Sequence, residues 1–247
     1  MKALFIFVLC LVAAVPLHAD QVSVAAASDL NFAIKEVIRE FERTTGHKVR
    51  LTLGSSGNFY AQIENGAPFD VFLSADVAYP RQLEQHGHAI AGSTFVYGTG
   101  RIALWVHSRS SLNVDRLGMR ALLDPSVKKI AIANPQHAPY GRAAVAAMQH
   151  ANVHEAVRSR LVLGENISQA AQFVQSGAAD IGVIALSIAL SEPMQKSGRH
   201  WIIPADTYPK LEQGAALLKR AGPAARQFHS WLKSAAAKQV FSKYGFN

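Results

Sequence analysis

The stretch that decides the fold runs from residue 22 to residue 41 and reads VSVAAASDLNFAIKEVIREF. Residues 22–27 are a short apolar run, and Ser28 and Asp29 follow it. A helical pattern then begins, with apolar side chains at Ile34, Val37, Ile38 and Phe41. Apolar residues three and four positions apart predict an amphipathic helix. A buried strand that leads directly into such a helix is typical of a βα unit, so we predict an α/β protein.

The same alternation continues along the chain. A strand at 47–53 is followed by a helix that carries Phe59 and Ile63, and then by a strand at 70–73. Further units are predicted as strands at 130–133, 161–163 and 181–185, with helices at 142–151 and 167–176. Strands separated by helices favour mixed, mostly parallel sheets flanked by helices.

Two β-rich stretches predict that the chain crosses between two lobes. Residues 94–106 form a long strand-like stretch that Gly98 and Gly100 interrupt, and residues 201–209 resemble a return crossing. A final strand at 211–218 precedes one closing amphipathic helix with Phe228, Trp231, Leu232, Val240 and Phe241. We predict that lobe 1 comprises residues 20–101 and 207–247, and lobe 2 residues 102–206.

The N-terminus has the layout of a Sec-type signal peptide, residues 1–19. Lys2 precedes an almost wholly apolar run at 3–15, Pro16 interrupts it, and Ala19 provides a small residue for cleavage. The run is short for a membrane span, so we predict a periplasmic protein. The single cysteine, Cys10, lies inside this segment. The mature chain would therefore have no disulfide, thiolate nucleophile or cysteine metal site.

The formal net charge of +8 could raise the local concentration of anionic ligands, or it could equally be a harmless property of the surface. The lysines and arginines are scattered, and no basic stripe interleaved with aromatic residues occurs, so a nucleic-acid-binding role is not expected.

Four βα junctions share a composition of small or polar residues: Ser28, Ser55-Ser56, Tyr140-Gly141 and Asn166-Ile167. The first turn of a helix leaves N–H groups without intrahelical acceptors, and with the helix dipole these donors bind anions. In open α/β sheets such junctions lie where ligands bind. Each residue alone could be an ordinary helix cap or turn. Their recurrence predicts a cage of neutral donors around a fully ionised anion.

Other candidate sites are weaker. His86 and His88 have no cysteine or paired carboxylates nearby, as a metal site would need. The segment Gly54-Ser-Ser-Gly57 lacks the spacing of the hydrolase nucleophile elbow. Asp70 and Asp76 are expected to pack between the lobes or lie at a rim. We therefore do not expect an enzyme.

These motifs resemble the periplasmic molybdate-binding proteins of ABC transporters. The resemblance is carried by Ala25-Ala-Ala-Ser28, Ser55-Ser-Gly-Asn58, Asp70-Val-Phe-Leu-Ser-Ala-Asp76, Asn134-Pro-Gln-His-Ala-Pro-Tyr-Gly141 and the closing Phe241-Ser-Lys-Tyr-Gly-Phe246. It covers essentially the whole mature chain. It implies a two-lobed type II periplasmic-binding fold that closes on its ligand by a hinge motion.

The resemblance also implies a ligand and its donors. Molybdate or tungstate would be held by hydroxyl and main-chain N–H groups of Ser28, Ser56, Tyr140 and Ile167, with Ile167 contributing only its N–H. Asp29 would contribute its N–H and turn its side chain outward, because a carboxylate repels an anion. The metal would arrive as its oxyanion, without protein–metal bonds and without a cofactor. Some relatives have a tyrosine where Ala185 stands, so the last hydroxyl donor is expected to be Tyr140.

Several alternatives stay open at this point. The ligand could be sulfate, phosphate or another tetrahedral oxyanion. An exported enzyme on the same fold, or a binding protein for an Fe(III) complex, would be a different class. The expected partner is a membrane ABC permease, and the expected state is a monomer.

Overall fold

The computed structural model describes residues 21–247. The predicted signal peptide, residues 1–19, lies outside the described residues. Within them, no helix combines the length and apolar character that crossing a membrane requires.

Two five-stranded mixed sheets organise the chain. The strands are β1 Gln21–Ala27, β2 Lys48–Gly54, β3 Val71–Ser74, β4 Phe95–Gly100, β5 Ile102–His107, β6 Ile130–Ala133, β7 Leu161–Gly164, β8 Ile181–Ala185, β9 Gly198–Ile202 and β10 Leu211–Leu217. Their spatial orders are β2-β1-β3-β10-β4 and β7-β6-β8-β5-β9. We call the unit built on the first sheet lobe 1 and the unit built on the second lobe 2.

The pairing within each sheet follows from the connections. In lobe 1, β1 pairs in parallel with β2 and β3, and in lobe 2, β6 pairs in parallel with β7 and β8. These strands belong to βα units, whose crossovers produce parallel neighbours. The antiparallel pairs involve strands next to the lobe crossings, namely β10 with β3 and β4, and β5 with β8 and β9. The α/β class with mixed sheets is as predicted.

The helices cover the faces of both sheets. They are α1 Ala33–Thr45, α2 Ser56–Glu64, α3 Ala78–Gln85, α4 Val114–Leu117, α5 Pro139–His150, α6 His154–Val157, α7 Ile167–Ser176, α8 Leu186–Ala189, α9 Glu192–Ser197, α10 Pro223–Trp231 and α11 Ala235–Lys243. A 3-10 turn, Ser28–Leu30, joins β1 to α1. Gly46 ends α1 in the left-handed region with φ of 77°, a conformation that glycine adopts without steric cost.

Each lobe has its own apolar core. In lobe 1, Phe41 and Phe228 pack on one face of the sheet, and Phe59 and Leu83 on the other. The lobe 2 core surrounds the fully buried Trp105 of β5. Because burial of apolar surface is the main favourable contribution to folding, each lobe is stabilised chiefly from within.

The chain passes between lobes where glycines interrupt the β-rich stretch. β4 ends at Gly100 in the first sheet, and β5 begins at Ile102 in the second, with only Arg101 between them. The return runs from the end of β9 to the start of β10. The predicted lobe boundaries at 101/102 and 206/207 stay predictions.

Three details differ from the sequence expectations. The helix predicted at 142–151 begins earlier, at Pro139, because the fixed φ of proline suits the first helical turn. The predicted single closing helix is two, α10 and α11, because Ser234 caps a new helix by accepting from the Ala237 N–H at 3.2 Å. Helix α3 was not predicted, since it contains Pro80 and few apolar residues.

Candidate anion-binding site

A small cavity lies between the lobes, at the carboxyl ends of parallel strands. All five residues singled out in the sequence line it: Ser28, Asp29, Ser56, Tyr140 and Ile167. The cavity has a volume of about 10 Å³, the space of roughly one water molecule. The lobes are therefore closed tightly, and a larger ligand enters only after they part.

Lobe 1 contributes two junctions. Ser28 is the first residue of the 3-10 turn after β1, and Ser56 is the first residue of α2 after β2. Ser56 Oγ accepts a hydrogen bond from the Ala75 N–H at 2.9 Å. Because the hydroxyl uses a lone pair in that bond, its proton is available to donate to a ligand.

Lobe 2 contributes the starts of α5 and α7. Tyr140 and Ile167 occupy the first turns of these helices, where N–H groups have no intrahelical acceptor. Asn166 caps α7 by accepting from the Gln169 N–H at 3.1 Å. Gly141 lets α5 start against the end of β6, because a Cβ there would overlap the carbonyl oxygen of Ala133. The two helix starts thus present main-chain donors rather than charged side chains.

Hydrogen bonds join the lobes around the cavity. Ser28 Oγ donates to Asn166 Oδ1 at 3.0 Å, and Ser168 Oγ donates to the Ser28 carbonyl at 2.8 Å. On the other side, the Gly57 N–H donates to the His137 carbonyl at 3.0 Å. These bonds hold the first turns of helices from both lobes in contact.

The rim of the cavity carries charged contacts between lobes. Arg142 Nη2 donates to Asp76 Oδ2 at 2.8 Å, and both side chains are partly exposed. Asn58 donates to the carboxylate of Glu165, and His137 Nδ1 lies 2.9 Å from Ser55 Oγ. Asp76 is thus a rim residue, as predicted from the sequence.

The expected orientation of Asp29 is wrong. Its side chain is not turned outward but buried, and Oδ2 accepts from Tyr140 at 2.9 Å and from Gln213 Nε2 at 2.6 Å. The physical reason is that neutral donors from lobe 2 and from β10 satisfy this oxygen inside the protein. Sequence spacing around Asp29 does not reveal them.

The electrostatics of Asp29 follow from this position. Burial raises its pKa to about 6, while the hydrogen bonds from Gln213 and Tyr140 act in the opposite direction. The N–H groups of Asp29 and Leu30 also lower it, although neither makes a hydrogen bond of normal geometry to the carboxyl group. Burial raises the pKa of the Tyr140 hydroxyl well above 10, so this group keeps its proton.

The Tyr140 hydroxyl is already engaged. It donates its proton to Asp29 and accepts from Gln213 Nε2 at 2.9 Å, and Tyr97 donates to Gln213 Oε1 at 2.7 Å. In this closed structure, the proton expected for a ligand therefore goes to Asp29. The donor that Tyr140 retains is its main-chain N–H.

Sequence reasoning missed two residues of this network. Gln213 lies fully buried inside the apolar strand β10, and a polar residue in such a strand is itself a signal. Ser187 Oγ donates to the Asp29 carbonyl at 2.8 Å, from the short helix that follows Ala185. Ala185 is buried and has no polar side chain to offer.

His86 and His88 were the weak candidate for a metal site in the sequence. His86 Nδ1 lies 2.6 Å from Glu64 Oε1, an ordinary pairing at the surface of lobe 1. Among residues 21–247, no group of three or more histidine, aspartate or glutamate side chains could hold a metal ion.

Comparisons with known proteins agree with the fold. The sequence model described as "Bacterial extracellular solute-binding protein" matches residues 22–247. The chain is 40% identical to the molybdate-binding protein ModA of Azotobacter vinelandii over 231 residues, which cover 93% of this chain and 90% of the relative. It is 39% identical to ModA of Rhodobacter capsulatus over 235 residues, with 94% and 90% covered.

The comparison with solved structures agrees with the comparison of sequences. The periplasmic molybdate-binding protein of Azotobacter vinelandii superimposes with a TM-score of 0.85 and 34% sequence identity. The match covers 92% of this chain and 98% of that protein.

Proposed function

The chain belongs to the bacterial extracellular solute-binding family, and from this premise we propose that it captures molybdate or tungstate and delivers it to a membrane ABC permease. The relatives that it matches at about 40% identity are named molybdate-binding proteins. The role is binding and release rather than catalysis. The place of action is the periplasm, in accordance with the family and with the predicted signal peptide.

One observation carries this proposal: four helix starts, two from each lobe, meet at a single cavity. The main-chain N–H groups of Ser56, Tyr140 and Ile167 and the hydroxyl of Ser56 are donors without a lysine or arginine among the lining residues. A tetrahedral dianion has only acceptors, so it matches such a set of neutral donors. The helix dipoles add positive potential at the same point.

Selection among dianions depends on the size of the cage that the lobes form around the ligand. Molybdate and tungstate carry the same charge and are nearly the same size, while sulfate is smaller. A rigid cage whose donors sit at fixed positions favours one size over another, because hydrogen bonds weaken when the distances become too long. Release to the permease requires the lobes to part, which breaks the interlobe hydrogen bonds around Ser28 and Gly57.

A thermal-shift panel with molybdate, tungstate, sulfate and phosphate tests the ligand. A ligand that binds only the folded state raises the melting temperature by mass action, by an amount that grows with its affinity. We expect large shifts with molybdate and tungstate, and small shifts or none with the others. A clear response to sulfate without a response to molybdate or tungstate would overturn the assignment.

The donors are tested with a double variant, Ser28→Ala with Ser56→Ala. Loss of each hydroxyl is expected to weaken molybdate binding by about 1–3 kcal/mol, because the Ser56 hydroxyl is free to bond an anion oxygen and the Ser28 hydroxyl bonds Asn166 of the other lobe in the closed state. Ile167→Val is the matched control, since it keeps the main-chain N–H and should bind within a few-fold of the wild type. Unchanged affinity in the double variant would place the ligand elsewhere.

A further inference from the structure

Asp29 has an unusual position for a carboxyl group beside an anion site. It lines the cavity and is buried, with an exposed fraction of 1%. Oδ2 accepts two hydrogen bonds, whereas Oδ1 is buried and has no hydrogen-bond partner among the described residues. A buried oxygen without a partner is costly, and once it carries a proton it can donate a hydrogen bond to a ligand oxygen.

The groups around Asp29 are neutral. In the described part of the chain, the titratable side chains hydrogen-bonded to Asp29 or to its partner Gln213 are Tyr140 from α5 and Tyr97 from β4. Burial raises the pKa of both hydroxyls well above 10. Gln213 from β10 and Ser187 from α8 are uncharged. Helix α7 contains no titratable residue. On α1, the nearest charged residues are Lys35, which is exposed, and Glu36, which pairs with Lys243.

Among the described residues no cationic side chain pairs with Asp29, whose Oδ2 is bonded only by Tyr140 and Gln213. An ionised Asp29 would therefore repel a dianion in the closed cavity. Like charges in a desolvated space interact strongly, and the group that can gain a proton does so. Burial outweighs the hydrogen bonds that lower the pKa of Asp29, and it already raises this pKa to about 6 before any ligand charge is added. The arrival of a dianion would raise it further.

We propose that Asp29 takes up one proton when the oxyanion binds and that its neutral carboxyl group then donates a hydrogen bond from Oδ1 to the anion. The inference rests on the proposed function. The proton comes from the solvent and converts the carboxylate to a carboxylic acid, while Oδ2 keeps its bonds from Tyr140 and Gln213. Asp29 thus determines specificity, because its protonated Oδ1 needs a ligand oxygen that accepts a hydrogen bond.

The sign of the pH dependence follows from linkage. The pKa of Asp29 is higher in the loaded protein than in the free protein, so binding takes up a proton at pH values between the two. The affinity for molybdate should therefore weaken as the pH rises through this window, by up to about ten-fold per pH unit.

Isothermal titration calorimetry with sodium molybdate tests the proposal, between about pH 6 and about pH 8, in buffers of different ionisation enthalpy. We expect proton uptake and weaker binding at high pH for the wild type. Asp29→Asn resembles the protonated carboxyl group, so it should bind without proton uptake and with little pH dependence. Asp115→Asn removes an exposed charge and should retain the wild-type behaviour.

Infrared difference spectra identify the group directly. Addition of molybdate to the wild type should produce the C=O band of a protonated carboxylic acid, and this band should be missing in Asp29→Asn. Molybdate binding without proton uptake and without this band would overturn the role of Asp29 while leaving the proposed function intact. Absence of any molybdate or tungstate binding would overturn both.

Discussion

Tyr140 and Gly100 lie in close contact at the crossing between the lobes, and the Tyr140 side chain leaves no room for a side chain at residue 100. Its hydroxyl lies over Gly100, the last residue of β4, while it also contacts Asp29 and Gln213. A Cβ on Gly100 would overlap this hydroxyl and lie 2.6 Å from Gln213 Nε2. Glycine is needed here for close approach rather than for an unusual backbone angle. The network from Tyr97 to Asp29 depends on this missing side chain.

Gly100→Ala is therefore expected to weaken the closed state. The added methyl group would push Tyr140 away from Asp29 and reopen the cavity wall, so molybdate affinity should fall by about ten-fold or more, equivalent to about 1.4 kcal/mol. Titration calorimetry measures this. Gly222→Ala is the matched control, because a Cβ there has no atom within 4 Å. Equal affinities in the two variants would show that the close contact at Gly100 has no role in binding.

At the scale of elements, the first turn of α2 contacts the other lobe through backbone atoms. Gly57 donates its N–H to the His137 carbonyl, and a Cβ on Gly57 would lie 2.7 Å from that oxygen and 3.1 Å from His137 Cα. Both are backbone atoms, which cannot rotate away. The segment before α5 and the start of α2 therefore touch only because residue 57 has no side chain.

Gly57→Ala should hinder closure of the lobes without lowering the stability of the ligand-free protein. Alanine in a helix is about 0.5–1 kcal/mol more favourable than glycine, so the ligand-free melting temperature should stay the same or rise. Molybdate binding should weaken, because the lobes can no longer meet at His137. Thermal melts and calorimetry on the same variant test both effects. Reduced stability with unchanged affinity would mean that the contact is not part of closure.

Element order was predictable, whereas contacts between distant elements were not. Helix α7 and strand β8 were predicted with the bounds observed, because their apolar periodicity and flanking caps are local signals. The break at Ser234 was missed because the apolar spacing continues from Phe228 to Phe241 across it. The side-chain orientation of Asp29 depends on Gln213, which is 184 residues away in the sequence, so no local pattern could reveal it. The four βα junctions were predictable, since each is a local signal, but the start of α5 lies at Pro139 rather than at the predicted residue 142.

At the scale of the whole molecule, lobe 1 is completed by the C-terminal part of the chain. β10 lies between β3 and β4, and α10 packs with α1 on the same face of the sheet. Lobe 1 thus folds fully only after the last residues are present. The pH dependence of stability that buried groups in this packing produce is therefore measured on the whole protein.

Two buried groups affect the pH dependence of stability in opposite directions. Asp29 has a raised pKa of about 6, so the folded protein binds a proton more readily there than the unfolded chain does. Between about pH 4 and 6, Asp29 therefore favours folding increasingly as the pH falls. His229 of α10 behaves in the opposite way. Burial, assisted by the charge of Lys233, lowers its pKa from 6.5 to about 4.

The linkage at His229 predicts acid destabilisation. As the pH falls from about 6.5 to about 4, the unfolded chain binds a proton at this residue that the folded protein does not bind, so the free energy of unfolding decreases by at most about 3 kcal/mol. Its ring packs edge-on against Phe95 at 5.1 Å, and Nε2 has no hydrogen-bond partner among the described residues. Phenylalanine can preserve that packing without titrating.

His229→Phe should therefore lose less stability than the wild type over this pH interval. Urea denaturation of the ligand-free protein at several pH values measures the free energies, and their difference isolates His229 because Asp29 contributes equally to both proteins. His229→Gln is a second variant, because the phenylalanine ring is larger than imidazole and can strain the packing. Glutamine is also neutral over the whole pH interval. His150→Gln replaces an exposed histidine and should follow the wild-type curve. If both His229 variants lose stability in parallel with the wild type, the acid sensitivity arises elsewhere in the fold.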